Sequence, residues 1–337
     1  MPTAATAVPS ATLDVVAIGH AIVDVLAPAE DADLEELGLA KGSMTLVDAE
    51  EAEALYGAMG PAVEASGGSA ANTAAGLASF GAAAAFVGKV RDDQLGAVFT
   101  HDIRAVGVEY STPPAQDGPA TARCLVLVTP DAQRTMSTYL GAATGLRAED
   151  VDDALVARSR VTYLEGYLWD PPEAIGALRR AMAVAHAAGR QVAFSLSDPF
   201  CVERHRDEFT ALVDEQVDVL FANEVEIVSL TGASSFDEAA EAVAGRCRVA
   251  ALTRGPRGSV VVEAASRIEV PAMPVDEVVD TTGAGDLYAA GFLFGLTHGA
   301  DLETCASLGS LAAAEVISHV GARPQVPLAG LAETVTG

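Results

Sequence analysis

The run LDVVAIG over residues 13–19 is apolar almost throughout and ends in glycine, the pattern of a buried strand. Residues 30–48 are acidic and irregular, and LVDAEEAEALYGAM then reads as a helix start with Asp48 as N-cap. GGSAANTAAGLASFG (67–81) predicts a glycine turn running into a small-residue helix. AAAFVGKV (83–90) is strand-like, and DDQLGAVFTHDIRAVG (92–107) is an amphipathic helix stopping at Gly107. Between 110 and 140 the character changes. Pro113, Pro114, Gly118 and Pro119 precede ATARCLVLVT, a turn at Pro130–Asp131 and RTMSTYLG, which together predict a hairpin or small sheet. From 147 onward strand-like runs (160–167, 190–197, 217–223, 247–255) alternate with helix-like runs, notably 172–189 and 235–245. That alternation implies a parallel sheet with right-handed crossovers and ligands at the C-terminal ends of its strands.

Composition narrows the class. With 337 residues, half of them apolar, the chain suits one large α/β domain carrying an insertion. The formal charge is −27, and Lys41 and Lys89 are the only lysines. Such a surface repels nucleic acid and offers no basic membrane patch. An anionic ligand must then be held locally, by backbone N–H groups, arginines and a divalent cation. Cys124, Cys201, Cys247 and Cys305 are widely spaced, which reads as free thiols in a reducing compartment. Residues 1–11 read as a loose tail without signal-peptide features, and no transmembrane span is expected, so the reading is cytoplasmic.

The chemistry concentrates in VVDTTGAGDLYAAGFLFGL (278–296). A polar turn, then Gly-Ala-Gly, then Asp286 open an apolar helix. Glycines and a helix N-terminus together make an anion hole. An acidic residue in the first turn also suits the helix dipole by itself. Taken alone, these residues leave Asp286 between a capping role and a base. NEVE (223–226) places Asn223 and Glu226 on one helical face at a strand end. LTRGPRGS (252–259) follows a strand with glycines able to wrap a nucleotide. No GxGxxG follows the first strand and neither lysine lies in GxxxxGK[ST], which disfavours a dinucleotide-dependent oxidoreductase and a P-loop kinase.

These segments, in this order, resemble the ribokinase-like sugar and nucleoside kinases, the PfkB family. DTTGAGD matches that family's second signature, GGSAANTAAGLASFG its glycine-Asn signature, NEVE its Asn-x-x-Glu motif and LTRGPRGS its nucleotide-strand pattern. The resemblance implies a three-layer α/β/α core with a mostly parallel sheet and a small β-sheet lid. The core is expected over 12–30, 48–109 and 141–337, and the lid over 31–47 and 110–140. It further implies ATP as donor, Asp286 as base, and Gly283, Ala284 and Gly285 as the anion hole. Asp24, Gly67, Gly68 and Asn72 would hold the acceptor's sugar hydroxyls. Arg134 opens a strand of the expected lid in a chain with few basic residues, a position from which it could swing toward phosphate on closure. Asn223, Thr253, Gly255 and Gly258 would face the nucleotide, and Glu226 would reach Mg²⁺ through water. A K⁺ ion beside the anion hole is a further implication, with Asp280 and Thr282 as its candidate ligands. A homodimer paired through lid strands is also compatible.

YLEGYLWDPPEA (163–174) and SLSDPFCVERHRDEF (195–209) resemble bacterial adenosine kinases and sugar kinases of that family. The expected reaction is phosphorylation of a 5′-hydroxymethyl group, adenosine to AMP. Trp169, Tyr167, Phe200, Met136 and Met44 are candidates for a purine slot. Ribose, fructose or another furanose is the alternative acceptor. A catalytically inactive binding protein on the same fold is the alternative of another class.

Overall fold

Side chains alternate along the first strand, Leu13–Ile18: Val15 and Ala17 enter one apolar cluster, Val16 and Ile18 the other. The sheet is therefore covered on both faces. The computed structural model describes residues 11–131 and 133–336, so the tail expected over 1–11 lies, apart from Ala11, outside the described residues. The large sheet has nine strands in the order Ser266–Val270, Ser259–Glu263, Val249–Thr253, Val219–Asn223, Gln191–Ser195, Ser159–Glu165, Leu13–Ile18, Ala84–Val87 and Glu109–Tyr110. All neighbours pair in parallel except Ser259–Glu263, which runs antiparallel to both Val249–Thr253 and Ser266–Val270. Helices Ser69–Ser79, Ala284–Thr297 and Leu302–Ile317 supply apolar residues to one face, and Pro172–Ala187, Pro199–Glu215 and Phe236–Val243 to the other. This is the expected three-layer α/β/α core.

The smaller sheet orders Met44–Leu46, Arg134–Tyr139, Ala122–Val128, Ile22–Pro28 and Val63–Gly67. Its hairpin, Ala122–Val128 with Arg134–Tyr139, is where the turn residues place it. Its boundaries differ from those expected. Ile22–Pro28 and Val63–Gly67, assigned above to the core, are lid strands, and both pair outside the large sheet. Residues 30–48 are also more regular than their pattern suggests. They hold a helix, Asp31–Glu36, opened by a Glu30–Asp33 capping box, and the edge strand Met44–Leu46.

Two helices set the site. Asp48 caps Ala49–Ala58 as expected, but the helices that matter are Ser69–Ser79 and Ala284–Thr297. They touch through a missing side chain: a Cβ on Gly76 would lie 2.6 Å from Leu287 and 2.8 Å from Ala290. Interiors are packed too tightly to absorb such an overlap. The contact holds the later part of Ser69–Ser79 against the first two turns of Ala284–Thr297.

Candidate active site

The carboxylate of Asp286 stands where those two helix starts meet. Its Oδ1 accepts from the Ser69 hydroxyl (2.6 Å) and its Oδ2 from the Asn72 amide (3.1 Å). Thr73 adds a bond from its hydroxyl to the Asp286 carbonyl (3.2 Å). Burial pushes the Asp286 carboxyl up to about 7, and the charges of Glu165 and Asp24 push the same way; the two hydrogen bonds pull it back.

The turn ahead of Asp286 has the shape its glycines permit. Gly283 is the N-cap, with φ of +79°, and a Cβ there would lie 2.8–2.9 Å from Ala322. Of the three residues expected to form the anion hole, Ala284 turns its N–H back onto the Thr281 carbonyl (3.2 Å). The N–H groups of Gly283, Gly285 and Asp286 have no backbone acceptor. The donors for an anion are therefore these three, at a helix N-terminus.

Across the cleft, strand Ile22–Pro28 of the small sheet presents Asp24. Burial raises its carboxyl to about 6, against the opposing charges of Arg323 and Arg134. Gly67 stands directly behind it: a Cβ there would sit 2.4 Å from Oδ2 of Asp24. Gly68, at φ of +100°, packs its Cα onto the His20 carbonyl, where a Cβ would be 2.2 Å from the oxygen. At the far end, Asn223 closes a capping box with Glu226: Glu226 accepts from the Asn223 N–H (2.8 Å) and side-chain amide (2.6 Å). Burial pushes Glu226 up to about 7.

The cleft encloses about 400 Å³. It is lined by Asp24, Gly68, Asn72, Arg134, Asn223, Glu226, Thr253 and Gly283 to Asp286, all of them singled out in the sequence. Gly67 is not among the lining residues; it backs Asp24. Gly255 and Gly258 also fall outside, in the 3₁₀ turn Gly255–Arg257 and its end. Arg134 does not wait at a distance. Its side chain is buried in the cleft, 2.8 Å from Asp280. Of the purine-slot candidates, Tyr167 and Met136 line the cleft. Trp169 is in the core on the far face, against Phe194 and Phe209, because its loop turns the indole under the sheet. Phe200 and Met44 are 70% and 51% exposed.

Some contributors escaped the sequence reading. Ser69 was hidden inside a glycine-rich signature. Arg323 reaches from the last loop to Asn72 Oδ1 (3.3 Å) and the Ser66 hydroxyl (2.5 Å), and Ser66 in turn donates its N–H to Asp102 (2.7 Å). Glu165 accepts from the His20 N–H (2.8 Å), His20 Nδ1 (2.7 Å) and the Ala70 N–H (2.9 Å), tying the turn that leads into the Asp24 strand to the helix that carries Ser69. Ser197 lines the cleft at φ of +73°, a strained conformation for a residue with a side chain.

Among the described residues no group of three or more His, Cys, Asp or Glu side chains could hold a metal ion by itself. Glu226 fits a magnesium ion that takes its other ligands from phosphate and water. The four cysteines are free and buried, and no helix among the described residues is long and apolar enough to cross a membrane.

Comparison with known proteins finds relatives of the whole fold. The family model described as pfkB family carbohydrate kinase matches residues 13–329. The crystal structure of adenosine kinase from Sinorhizobium meliloti is 56% identical, with a TM-score of 0.89 over 96% of this chain and 99% of that one. A probable sugar kinase from Rhizobium etli CFN 42 is 49% identical, with a TM-score of 0.90 over 97% and 99%. Adenosine kinase of Saccharomyces cerevisiae is 31% identical over 335 residues, 92% of this chain and 96% of that protein.

Proposed function

The chain belongs to the pfkB family of carbohydrate kinases, and from that membership we propose that it transfers the γ-phosphoryl group of ATP to the 5′-hydroxyl of adenosine, giving AMP and ADP. The observation that carries the reading is Asp286: a carboxylate clamped by Ser69 and Asn72 beside three free helix-start N–H groups. A carboxylate beside an anion site is repelled by a phosphate unless it has a proton to take.

In this reading the acceptor's ring hydroxyls donate to Asp24, with Gly68 and Asn72 completing the seat. Asp286 takes the 5′-hydroxyl proton as the oxygen–phosphorus bond forms and the bond from the γ-phosphorus to the bridging oxygen of ADP breaks. The N–H groups of Gly283, Gly285 and Asp286 receive the charge on the transferring group, and Arg134 adds a positive charge from the lid. A single positioned donor of this kind is worth about 3 kcal/mol in the transition state. When bound, magnesium neutralises the donor's phosphates; Glu226, oriented by Asn223, would hold it through water, and Thr253 would face the nucleotide. Asp286, at about 7, can shed the proton to solvent near neutrality.

Adenosine is favoured by the lid. Asp24, Cys124 and Thr138 form one cross-strand row, and Val126 and Met136 form the next. All five line the cleft, so a carboxylate for ribose hydroxyls adjoins an apolar shelf for a flat base. The similarity to the Sinorhizobium adenosine kinase supports the same choice. The similarity to a probable sugar kinase keeps a furanose as the second reading. Comparing kcat/KM for adenosine, ribose and fructose tests the assignment: adenosine is expected to be preferred, and a higher value for either free sugar overturns it.

A further inference from the structure

Asp280 precedes the helix Ala284–Thr297, and its side chain is 5% exposed. Both of its oxygens are occupied. Oδ1 accepts the N–H (3.0 Å) and the hydroxyl (2.7 Å) of Thr282. Oδ2 accepts the Gly321 N–H (3.0 Å) and lies 2.8 Å from Nη2 of Arg134. A carboxylate offers about four lone-pair directions, and four partners surround this one. The pair the resemblance nominates for a monovalent cation, Asp280 and Thr282, therefore does not fit one. The hydroxyl of Thr282 points its proton at Asp280, and the space in front of the carboxylate holds a guanidinium. A potassium ion there would stand beside a like charge in a site screened from water.

The charge arithmetic explains the arrangement. A buried carboxylate with no cation nearby is costly, and removing one member of a buried pair leaves the other uncompensated. Arg134 reaches Asp280 from the first residue of lid strand Arg134–Tyr139, and its own side chain is 8% exposed. Neither Nε nor Nη2 of Arg134 has an aligned hydrogen-bond acceptor. The contact works through charge proximity, as a bound ion's would.

We propose that the guanidinium of Arg134 takes the place of a potassium ion at Asp280, so that phosphoryl transfer by this chain runs without a monovalent cation. The proposal rests on the kinase reading above. Two measurements on the full-length protein separate the two ideas. The first is the initial rate of ADP formation with adenosine in KCl or in N-methylglucamine chloride at equal ionic strength. The second is the melting temperature in the same two salts, which needs no activity. For the unaltered protein, rates are expected to agree within about twofold and melting temperatures to show no potassium-specific shift, since an ion stabilises only the state that binds it. Arg134→Met, which keeps the apolar stem, is expected to lower the rate and to acquire potassium-specific stabilisation and partial rescue by KCl. Arg134→Lys, which keeps the charge, is expected to remain indifferent to the salt. Activation of the unaltered protein by about tenfold or more in KCl, or a potassium-specific rise in its melting temperature that Asp280→Asn abolishes, overturns the proposal. So does an Arg134→Met protein with no potassium response of either kind. Absence of transfer to adenosine in both salts, with no potassium shift in melting, overturns the adenosine reading while leaving Asp280 paired as described.

Discussion

The Ser69 hydroxyl donates to Asp286 Oδ1 at 2.6 Å across the meeting point of two helix starts. With the Asn72 amide on the other oxygen, the carboxylate has one orientation, toward the space between the free N–H groups and Asp24. The role assigned to it is confined to the transition state. Asp286→Asn is therefore expected to lower kcat by about 10²–10⁴-fold, with little change in KM for adenosine. Steady-state kinetics check this, and near-normal turnover would remove Asp286 from the mechanism.

The same hydrogen bond shapes the pH dependence. A base must be unprotonated to act, and burial holds Asp286 at about 7, so activity is expected to fall as pH drops through that value. The Ser69 hydroxyl pulls the carboxyl down, so Ser69→Ala should move the acid limb upward. Its rate at pH 7 should fall by about three- to tenfold and recover at alkaline pH. A pH–rate profile decides it; a limb that stays in place separates Ser69 from the proton transfer.

Burial of this carboxylate also has a thermodynamic sign. A folded-state value of about 7, above the ordinary 3.8, means folding favours the protonated form. The associated stability is present below the unfolded value and is lost as pH rises from about 4 through about 7. Asp24 and Glu226, at about 6 and about 7, add to the same trend. Asp286→Asn should thus stabilise the ligand-free protein at pH 8, by about 1–2 kcal/mol, and by only about a quarter of that at pH 4.5. Chemical denaturation at the two pH values measures it. Equal effects at both would mean the carboxyl titrates normally.

Arg323 acts one step further back. Its Nε donates to Asn72 Oδ1, which fixes the Asn72 amide with its NH₂ toward Asp286. Arg323→Met should leave the amide free to turn, reducing kcat by about tenfold or more. It also removes a charge that lowers Asp24, so acceptor KM should rise, most visibly below pH 7. A purely structural arginine would change melting temperature without this pH-dependent split between kcat and KM.

How much of this the chain announces depends on how far apart the partners are. The turn and helix at 280–297 are local, so the anion hole and Asp286 are legible from neighbouring residues, down to the glycines that allow the bend. The NEVE cap is local for the same reason. The lid edges are not. Ile22–Pro28 pairs with a strand about a hundred residues later, in Ala122–Val128, and no short-range pattern reports that. Arg323 and Asn72 are separated by 251 positions, so only the folded chain brings them together. Trp169 misled because a single aromatic residue in a loop carries no periodicity to say which face of the sheet it enters. The contact of Asp280 with Arg134 likewise joins a core turn to a lid strand, and nothing local along the chain announces it.

Gly67 offers the sharpest test of how the acceptor is held. It lies outside the cleft, and nothing about it is chemical. Yet a methyl group on its Cα would sit 2.4 Å from one oxygen of Asp24, 2.7 Å from the other and 2.6 Å from the carbon between them. All of these are well inside van der Waals contact, so Gly67→Ala must push the carboxylate out of position. Asp24 is proposed to bind ring hydroxyls in ground and transition states alike. Its displacement should therefore raise KM for adenosine and cut kcat/KM by about 10–100-fold, while kcat at saturation changes much less. Asp24→Asn should show the same signature. If Gly67 works only through Asp24, the two losses will not add: the double variant should be little worse than Asp24→Asn alone. Additive losses in that cycle would mean that Gly67 serves the site by a second route, through the approach of the Gly68 backbone to His20.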